Sequence, residues 1–444
     1  MDRDLIQDAL GPLRMSAPEL ESFASSLTAL PRPAIRLRPG LEPDSLPFPA
    51  QRVEWHERGC FVSEQVRPAA FVHYGAGDYF IQDASSLLAI AALDARGGES
   101  ICDLCAAPGG KSTAILDALE AGGWLLANEA VHSRVALLRY QLARYGVPRF
   151  GLSNRDPDTL ADRCEEAFDA VLVDAPCSGQ SLLGRGKQTE SSFLPATISH
   201  CAARQSRILE AAGRLVRPGG RMVYSTCTFA YLENESRVEE FLSLHSDWEI
   251  APQPRLEAWT SSSLNGCYRL WPHRDGCGGA FAAVLRKRAP AGADEVLRAA
   301  DASHAKPLAG MPPWLSSALA EWGELGACAV RCERDRCFAW PEVPPAEFGE
   351  SVEGPEIAFL KGSTWFPAHS LAVRRDSRWS AAGTAVLDDV QAAAYLRGEV
   401  VPLASRGWAV AVWRGRPLGW LKADGRQGKN HLPKPARLVG RLTV

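Results

Sequence analysis

No stretch of this 444-residue chain approaches the roughly eighteen consecutive apolar positions a helix needs to cross a bilayer, so no membrane span is expected. The first ten residues carry Asp2, Asp4 and Asp8 and no apolar segment, so no secretory leader is expected there. Strong charge of one sign is also missing. The net charge is −3, so the chain as a whole does not advertise a polyanionic partner, and charge has to be read locally. No internal repeat recurs. The twelve cysteines are too sparse over this length for a disulfide scaffold, and the expectation is a cytoplasmic protein with reduced thiols. What is present is ordinary globular material, 46% apolar and 23% charged, at a length suited to two to four domains with more than one core.

Residues 1–75 read as a small N-terminal α+β domain. Pro18 to Leu30 has helical spacing, and Pro31 and Pro33 end it. Arg32 to Arg38 then alternates basic and apolar residues, the pattern of an exposed basic strand. Over 76–288 strand and helix patterns alternate. Ser100–Leu104 precedes a glycine turn and a helix over 111–121; Trp124–Ala127 precedes a helix over 131–145. Ala170–Val173 follows, then a helix around 199–213 ended by Arg217-Pro218-Gly219-Gly220, then Arg221–Ser225. This alternation predicts an α/β fold with a doubly wound parallel sheet, whose ligands bind at the carboxyl ends of the strands. Residues 289–365, broken by prolines, are expected to form a linker or intermediate domain, and 366–444 a mostly-β domain. Within the latter, 397–444 hold ten Lys and Arg against Glu399 and Asp424, together with Trp408, Trp413, Trp420 and His431. Basic and aromatic residues in one segment suit phosphate contact plus base stacking.

The densest motif is Asp103-Leu104-Cys105-Ala106-Ala107-Pro108-Gly109-Gly110-Lys111-Ser112. A strand runs into a glycine turn that opens a helix, so the backbone can approach a ligand closely and present free N–H groups to it. Gly110-Lys111-Ser112 invites a phosphate-loop reading, but the glycine that motif needs five residues before Gly110 is Cys105, which disfavours a nucleotide hydrolase. Acids recur at successive strand ends. Glu129 is placed to accept hydrogen bonds from ribose hydroxyls, Asp156 to reach an adenine amino group, and Asp174 closes the series. Two polar turns each put a cysteine just past a strand end, on strands expected to be adjacent: Asp174-Ala175-Pro176-Cys177-Ser178-Gly179 and Ser225-Thr226-Cys227-Thr228. No metal is expected, because Cys102-x-x-Cys105 has no second pair to complete a ligand set. Cys328, Cys332 and Cys337 are irregularly spaced and read as structural; His273 and His369 read as packing residues.

Paired cysteines beside a cofactor pocket match one chemistry well. Carbon 5 of cytosine is too electron-poor to attack a methyl sulfonium directly. A thiolate that adds at C6 makes C5 nucleophilic, and a second cysteine can assist release. Asp174, protonated or sharing a proton, would hydrogen-bond the base at N3.

These motifs resemble the RsmB/RsmF/NSUN family of RNA 5-methylcytosine methyltransferases. Tyr79 to Ser86, Ala203-Arg204-Gln205, Pro218-Gly219-Gly220 and Glu233-Asn234-Glu235 fall where that family has related segments. The resemblance implies a Rossmann-like class I methyltransferase core that binds S-adenosyl-L-methionine through Cys105, Ala106, Ala107, Pro108, Gly109, Gly110, Lys111, Glu129, Asp156 and Asp174. It implies Cys227 as nucleophile and Cys177 as the release cysteine. Pro367 to Leu371, Tyr395 to Glu399, Leu418 to Lys422 and Lys429 to Lys434 resemble the PUA-like tail of the bacterial RsmF type, which implies ribosomal RNA or the small ribosomal subunit as partner. Transfer RNA as substrate, or a non-catalytic assembly factor, are the competing expectations. The chain is expected to act as a monomer. The loop Gln180 to Gln188 departs from the family's usual pattern, which leaves its RNA contacts open.

Overall fold

The computed structural model describes residues 2–119, 122–289, 311–345 and 352–444. The expected end of the helix at 121 and part of the 289–365 stretch lie outside the described residues.

The chain opens with helices Arg3–Leu10 and Ala17–Thr28. Proline in the first turn of the second helix presets its backbone, and Phe23 and Leu27 bury its inner face. A four-stranded antiparallel sheet follows, built from β1 (Ala34–Leu37), β2 (Ala50–Val53), β3 (His56–Val62) and β4 (Tyr79–Ile81) in the order β2-β3-β1-β4. The alternation at Arg32 to Arg38 does not mark an exposed strand. β1 lies inside its sheet and is buried along its whole length. The Arg36 guanidinium reaches the core instead, donating to the carbonyl of Gly110 at 2.8 Å and to Thr113 Oγ1 at 3.0 Å, with Asp117 at 3.4 Å. A buried arginine needs such partners to offset its desolvation. Here they sit on the helix that the glycine turn opens, Gly110–Ala118, so the N-terminal sheet is pinned to it.

The central sheet has β5 (Ser100–Asp103), β6 (Trp124–Asn128), β7 (Phe150–Ser153), β8 (Phe168–Asp174), β9 (Val216–Thr226), β10 (Trp248–Ile250), β11 (Cys267–Leu270) and β12 (Ala280–Lys287). Its order is β10-β12-β9-β8-β5-β6-β7, with β11 paired to β12. Strands β5 to β9 run parallel, and β12 lies antiparallel against β9. Helices cover both faces, so β5 and β8 are buried through their middles and read as apolar runs rather than alternations. The chain leaves β5 toward β6 and β7, then returns to lay β8 on the other side of β5. The crevice beside that reversal is where a doubly wound sheet binds ligands.

After residue 310 the described chain forms a helix, Pro313–Trp322, and an antiparallel sheet of Ala329–Cys332, Arg336–Trp340, Glu356–Lys361 and Thr364–Pro367. Cys332 and Cys337 are disulfide-bonded across paired strands, where reduced thiols were expected. A five-stranded sheet closes the chain, its long hairpin formed by Arg406–Trp413 and Arg416–Asp424. Trp408 and Trp420 share a core with Leu315, Trp322 and Ile357. The stacking half of the basic-aromatic expectation fails for this reason. Trp408, Trp413 and Trp420 are at most 7% exposed, and the Trp413 and Trp420 indoles donate to Asp389 and the Ala368 carbonyl. The cations Arg406, Arg414, Lys422, Arg426, Lys429, Lys434 and Arg441 remain outside as a solvated basic face.

Candidate active site

β8 and β9 are parallel neighbours in a register that sets Asp174 opposite Ser225. Both cysteine turns therefore leave the sheet at one edge, and the two thiols meet with Sγ atoms 3.3 Å apart. Asp174 accepts from Ser225 Oγ at 2.9 Å and pairs with Lys111 Nζ at 2.7 Å. Lys111 belongs to the first turn of helix Gly110–Ala118, so the glycine turn and both cysteine turns converge on one cleft. That cleft, of about 130 Å³, is lined by Asp83, Lys111, Asp174, Arg185 and Cys227 among others, and Arg185 forms an ion pair with Asp83 at its wall. The lysine turned onto Asp174 argues further against a phosphate loop, where that ammonium would reach for phosphate oxygens.

The electrostatics separate the two cysteines. A hydrogen bond from Cys177 holds the Cys227 thiol below its ordinary range; burial and Asp174 oppose this, while Lys111 and Ser181 help. The same hydrogen bond, with burial, pushes Cys177 well up. Cys177 is thus the hydrogen-bond donor of the pair and Cys227 the more acidic thiol. Lys111 stays charged: burial works to lower its pKa, but Asp174 overrides it and the net shift is upward.

On the cofactor side, Glu129 is 3% exposed and folds back onto the glycine turn, accepting from the backbone of Ala107 at 3.3 Å and Val131 at 2.9 Å. Gly109 takes a left-handed φ of 113°, which a side chain would resist, and a Cβ there would press on Leu138 and Gln141. Asp156 does not join the cleft cluster. It caps helix Pro157–Ala161 and pairs with Arg207 at 3.1 Å. Asp103 is fully buried, with Oδ2 accepting from Ser112 and Oδ1 without a partner; burial raises its pKa to about 7.

A family profile described as 16S rRNA methyltransferase RsmB/F matches residues 90–286, and one described as the methyltransferase RsmF PUA domain matches 384–438. Over residues 90–286 this chain is similar to the RsmB/F methyltransferases. Ribosomal RNA small subunit methyltransferase F of Klebsiella pneumoniae (strain 342) is 35% identical over 246 residues, 53% of this chain and 52% of that protein. Its counterpart in Escherichia coli O127:H6 is 34% identical over 244 residues, 53% of this chain and 51% of that protein. The chain thus matches about half the length of these curated relatives. Among solved structures, a methyltransferase homologue from Pyrococcus horikoshii aligns with a TM-score of 0.54 at 25% identity, covering 65% of this chain and 100% of that one. The central sheet is accordingly the Rossmann-like sheet of these methyltransferases, and the last sheet is a PUA domain.

Gln205 and Glu233, to which the sequence assigns no role, join the two cysteine turns. The buried Glu233 carboxylate accepts from Ser178 N and Oγ at 2.9 and 2.5 Å, Gln205 Nε2 at 2.9 Å and Thr228 Oγ1 at 3.3 Å. Ser178 follows Cys177 and Thr228 follows Cys227, so one carboxylate ties the two cysteine turns together. Among the sequence signals, only the Glu233-Asn234-Glu235 and Ala203-Arg204-Gln205 segments pointed toward it.

The thiol asymmetry has a direct readout. Iodoacetamide should alkylate Cys227 ahead of Cys177, with a pH midpoint below the roughly 8.5 of an ordinary thiol. Cys227 is the group with the lowered pKa, so its reactivity rises with pH through that lower midpoint, ahead of the other thiols. Peptide mapping across pH checks this; earlier labelling of Cys177, or an ordinary midpoint for Cys227, would contradict it.

Proposed function

We propose that this chain transfers a methyl group from S-adenosyl-L-methionine to carbon 5 of a cytosine in small-subunit ribosomal RNA, through a covalent bond between Cys227 and C6. The observation that carries the reading is the thiol pair: one lowered and one raised cysteine 3.3 Å apart, beside a lysine–carboxylate pair. The names of the relatives support ribosomal RNA as the substrate class.

The residues present fit the cofactor. The unpartnered Asp103 Oδ1 is an acceptor a ligand ammonium would satisfy, and the acids Glu129 and Asp156 follow the ends of β6 and β7. Residues 105–111 and Glu129 would hold it, and Asp156 would join them on exchanging Arg207 for the cofactor. When bound, S-adenosyl-L-methionine supplies the electrophilic methyl that an activated C5 takes.

The chain's own groups do the rest. The Cys227 thiolate adds to C6, and the electron pair of the C5–C6 double bond moves onto C5. The Lys111 ammonium, paired with Asp174 at 2.7 Å, is the proton source through which that pair can hydrogen-bond N3 and draw charge out of the ring. After methylation the C5 proton leaves to a base in the cleft, the double bond re-forms and sulfur departs as thiolate. The Cys177 thiol, already the donor to that sulfur, stabilises it as it leaves.

The test is tritium release. RNA transcribed with [5-³H]cytidine and mixed with the protein and the cofactor should liberate tritium in step with methyl incorporation. Methylation without tritium release would mean a different acceptor atom. Neither signal on small-subunit RNA or assembled subunits, against a signal on transfer RNA, would move the substrate.

A further inference from the structure

We propose that a second cavity, away from the cysteine turns, binds one nucleotide of the RNA strand; this rests on RNA as the substrate. The cavity, of about 210 Å³, lies where strand β4 with the segment leading into it, the helix His132–Tyr145 and the C-terminal region meet. Its lining includes the guanidinium side chains of Arg38, Arg144 and Arg375 and the rings of Tyr74, Tyr140 and Tyr145, and it includes no aspartate or glutamate. Of the acids nearby in the fold, Asp78 pairs with Arg416 at 2.7 Å, while Asp117 pairs with Arg58 and Arg36, accepts from the Tyr145 hydroxyl and lies 4.0 Å from Arg375, so it anchors the Tyr145–Arg375 side of the cavity and the Arg144 side carries no acid.

The composition calls for a ligand that is both anionic and flat. Guanidinium groups match phosphate oxygens in geometry and charge. The three tyrosines are half-buried and line the cavity. They are also already layered with cations: the Arg144 guanidinium lies 4.7 Å from the Tyr74 ring centre and 5.9 Å from that of Tyr140, and Arg375 lies 5.2 Å from that of Tyr145. A base stacks on such a platform with little sequence preference. His369 also lines the cavity, and burial, reinforced by Arg144, lowers its pKa to about 4, so the ring adds no charge there at pH 7. Cys177, Cys227, Lys111 and Asp174 do not line this cavity, so the nucleotide held here is not the one methylated. It grips the strand at a second point and clamps three parts of the chain around it.

The test uses the full chain, a short single-stranded RNA carrying 4-thiouridine, and free UMP. Irradiation should give a crosslink within the peptides of Tyr74 or Tyr140. Tyr140→Ala should weaken RNA binding about 5- to 150-fold, the range for one lost stacking contact, with unchanged cofactor affinity and unchanged turnover at saturating RNA. Tyr140→Phe keeps the ring and loses only the hydroxyl that donates to the Pro435 carbonyl, so it should bind as wild type. Wild-type affinity in Tyr140→Ala, with no crosslink at the cavity, overturns the proposal. UMP binding that Tyr140→Ala abolishes, without any RNA crosslink there, overturns the RNA assignment and makes this a free-nucleotide site. A crosslinked, tightly bound RNA that is never methylated would leave the pocket standing and count against the proposed reaction alone.

Discussion

Cys227→Ala is expected to reduce methyl transfer by about 10⁴-fold or more while leaving cofactor and RNA binding near wild type. The argument is chemical. Without a nucleophile at C6, cytosine C5 has too little electron density to attack a sulfonium, so the variant loses the route itself rather than a fraction of its rate. Cys177 cannot stand in: it is the protonated partner, its thiol held well above the ordinary range by burial and by its role as donor. The substitution removes one sulfur from a half-buried position and leaves the Glu233 tie intact, because that tie runs through Ser178 and Thr228. The melting temperature should therefore move little. Single-turnover methylation, cofactor binding by calorimetry and a thermal melt separate the outcomes. Retention of more than about a tenth of the wild-type rate would show that no obligatory Cys227–C6 bond forms.

Cys177→Ala is expected to fail differently. Turnover should fall by roughly 10²- to 10⁴-fold, the range for a positioned proton donor, yet a covalent protein–RNA species should accumulate. Addition at C6 needs only the Cys227 thiolate, whereas release needs that sulfur to depart, and the departing charge loses its donor. A slow-migrating band on a denaturing gel, absent from the Cys177→Ala/Cys227→Ala double variant, is the readout. The same hydrogen bond lowers the pKa of Cys227, so its loss lets that thiol rise toward the ordinary value. Adduct formation in Cys177→Ala should accordingly speed up as pH is raised toward about 8.5. Sequencing the attached RNA would also give the target cytosine. Full methylation with no adduct would remove Cys177 from the release step.

Asp174 shows how far the reading of one residue went. Its position at a strand end was legible from the turn it opens. Its partner was not, because Lys111 lies 63 positions earlier and reaches it only once β5 and β8 are neighbours. The expectation of a protonated or proton-sharing Asp174 gains a named partner, the Lys111 ammonium at 2.7 Å. Asp156 illustrates the opposite limit: placement after β7 is correct, but in this structure its side chain is occupied with capping the next helix and with Arg207.

Arg36 and the tryptophans of the last sheet were misread for one reason. Alternation in Arg32–Arg38 and a mixture of cations and rings in 397–444 are patterns of spacing and composition, and each is compatible with a surface or a core. Arg36 is buried because a helix 74 residues away supplies the carbonyl it needs. Trp408 and Trp420 are buried because a helix and sheet from residues 311–367 pack onto their face.

The glycine turn, the strand–helix alternation and the two cysteine turns were legible in the chain because they depend on short-range chemistry: which residues accept a left-handed φ, which open a helix, which end a strand. The 3.3 Å thiol contact, the unequal acidities of Cys177 and Cys227, the Glu233 tie and the arginine-tyrosine cavity were decided only by the tertiary structure. Each joins segments dozens to hundreds of residues apart. Burial and charge pairing, which set their energies, are properties of what the fold stacks against a residue and not of its neighbours along the chain.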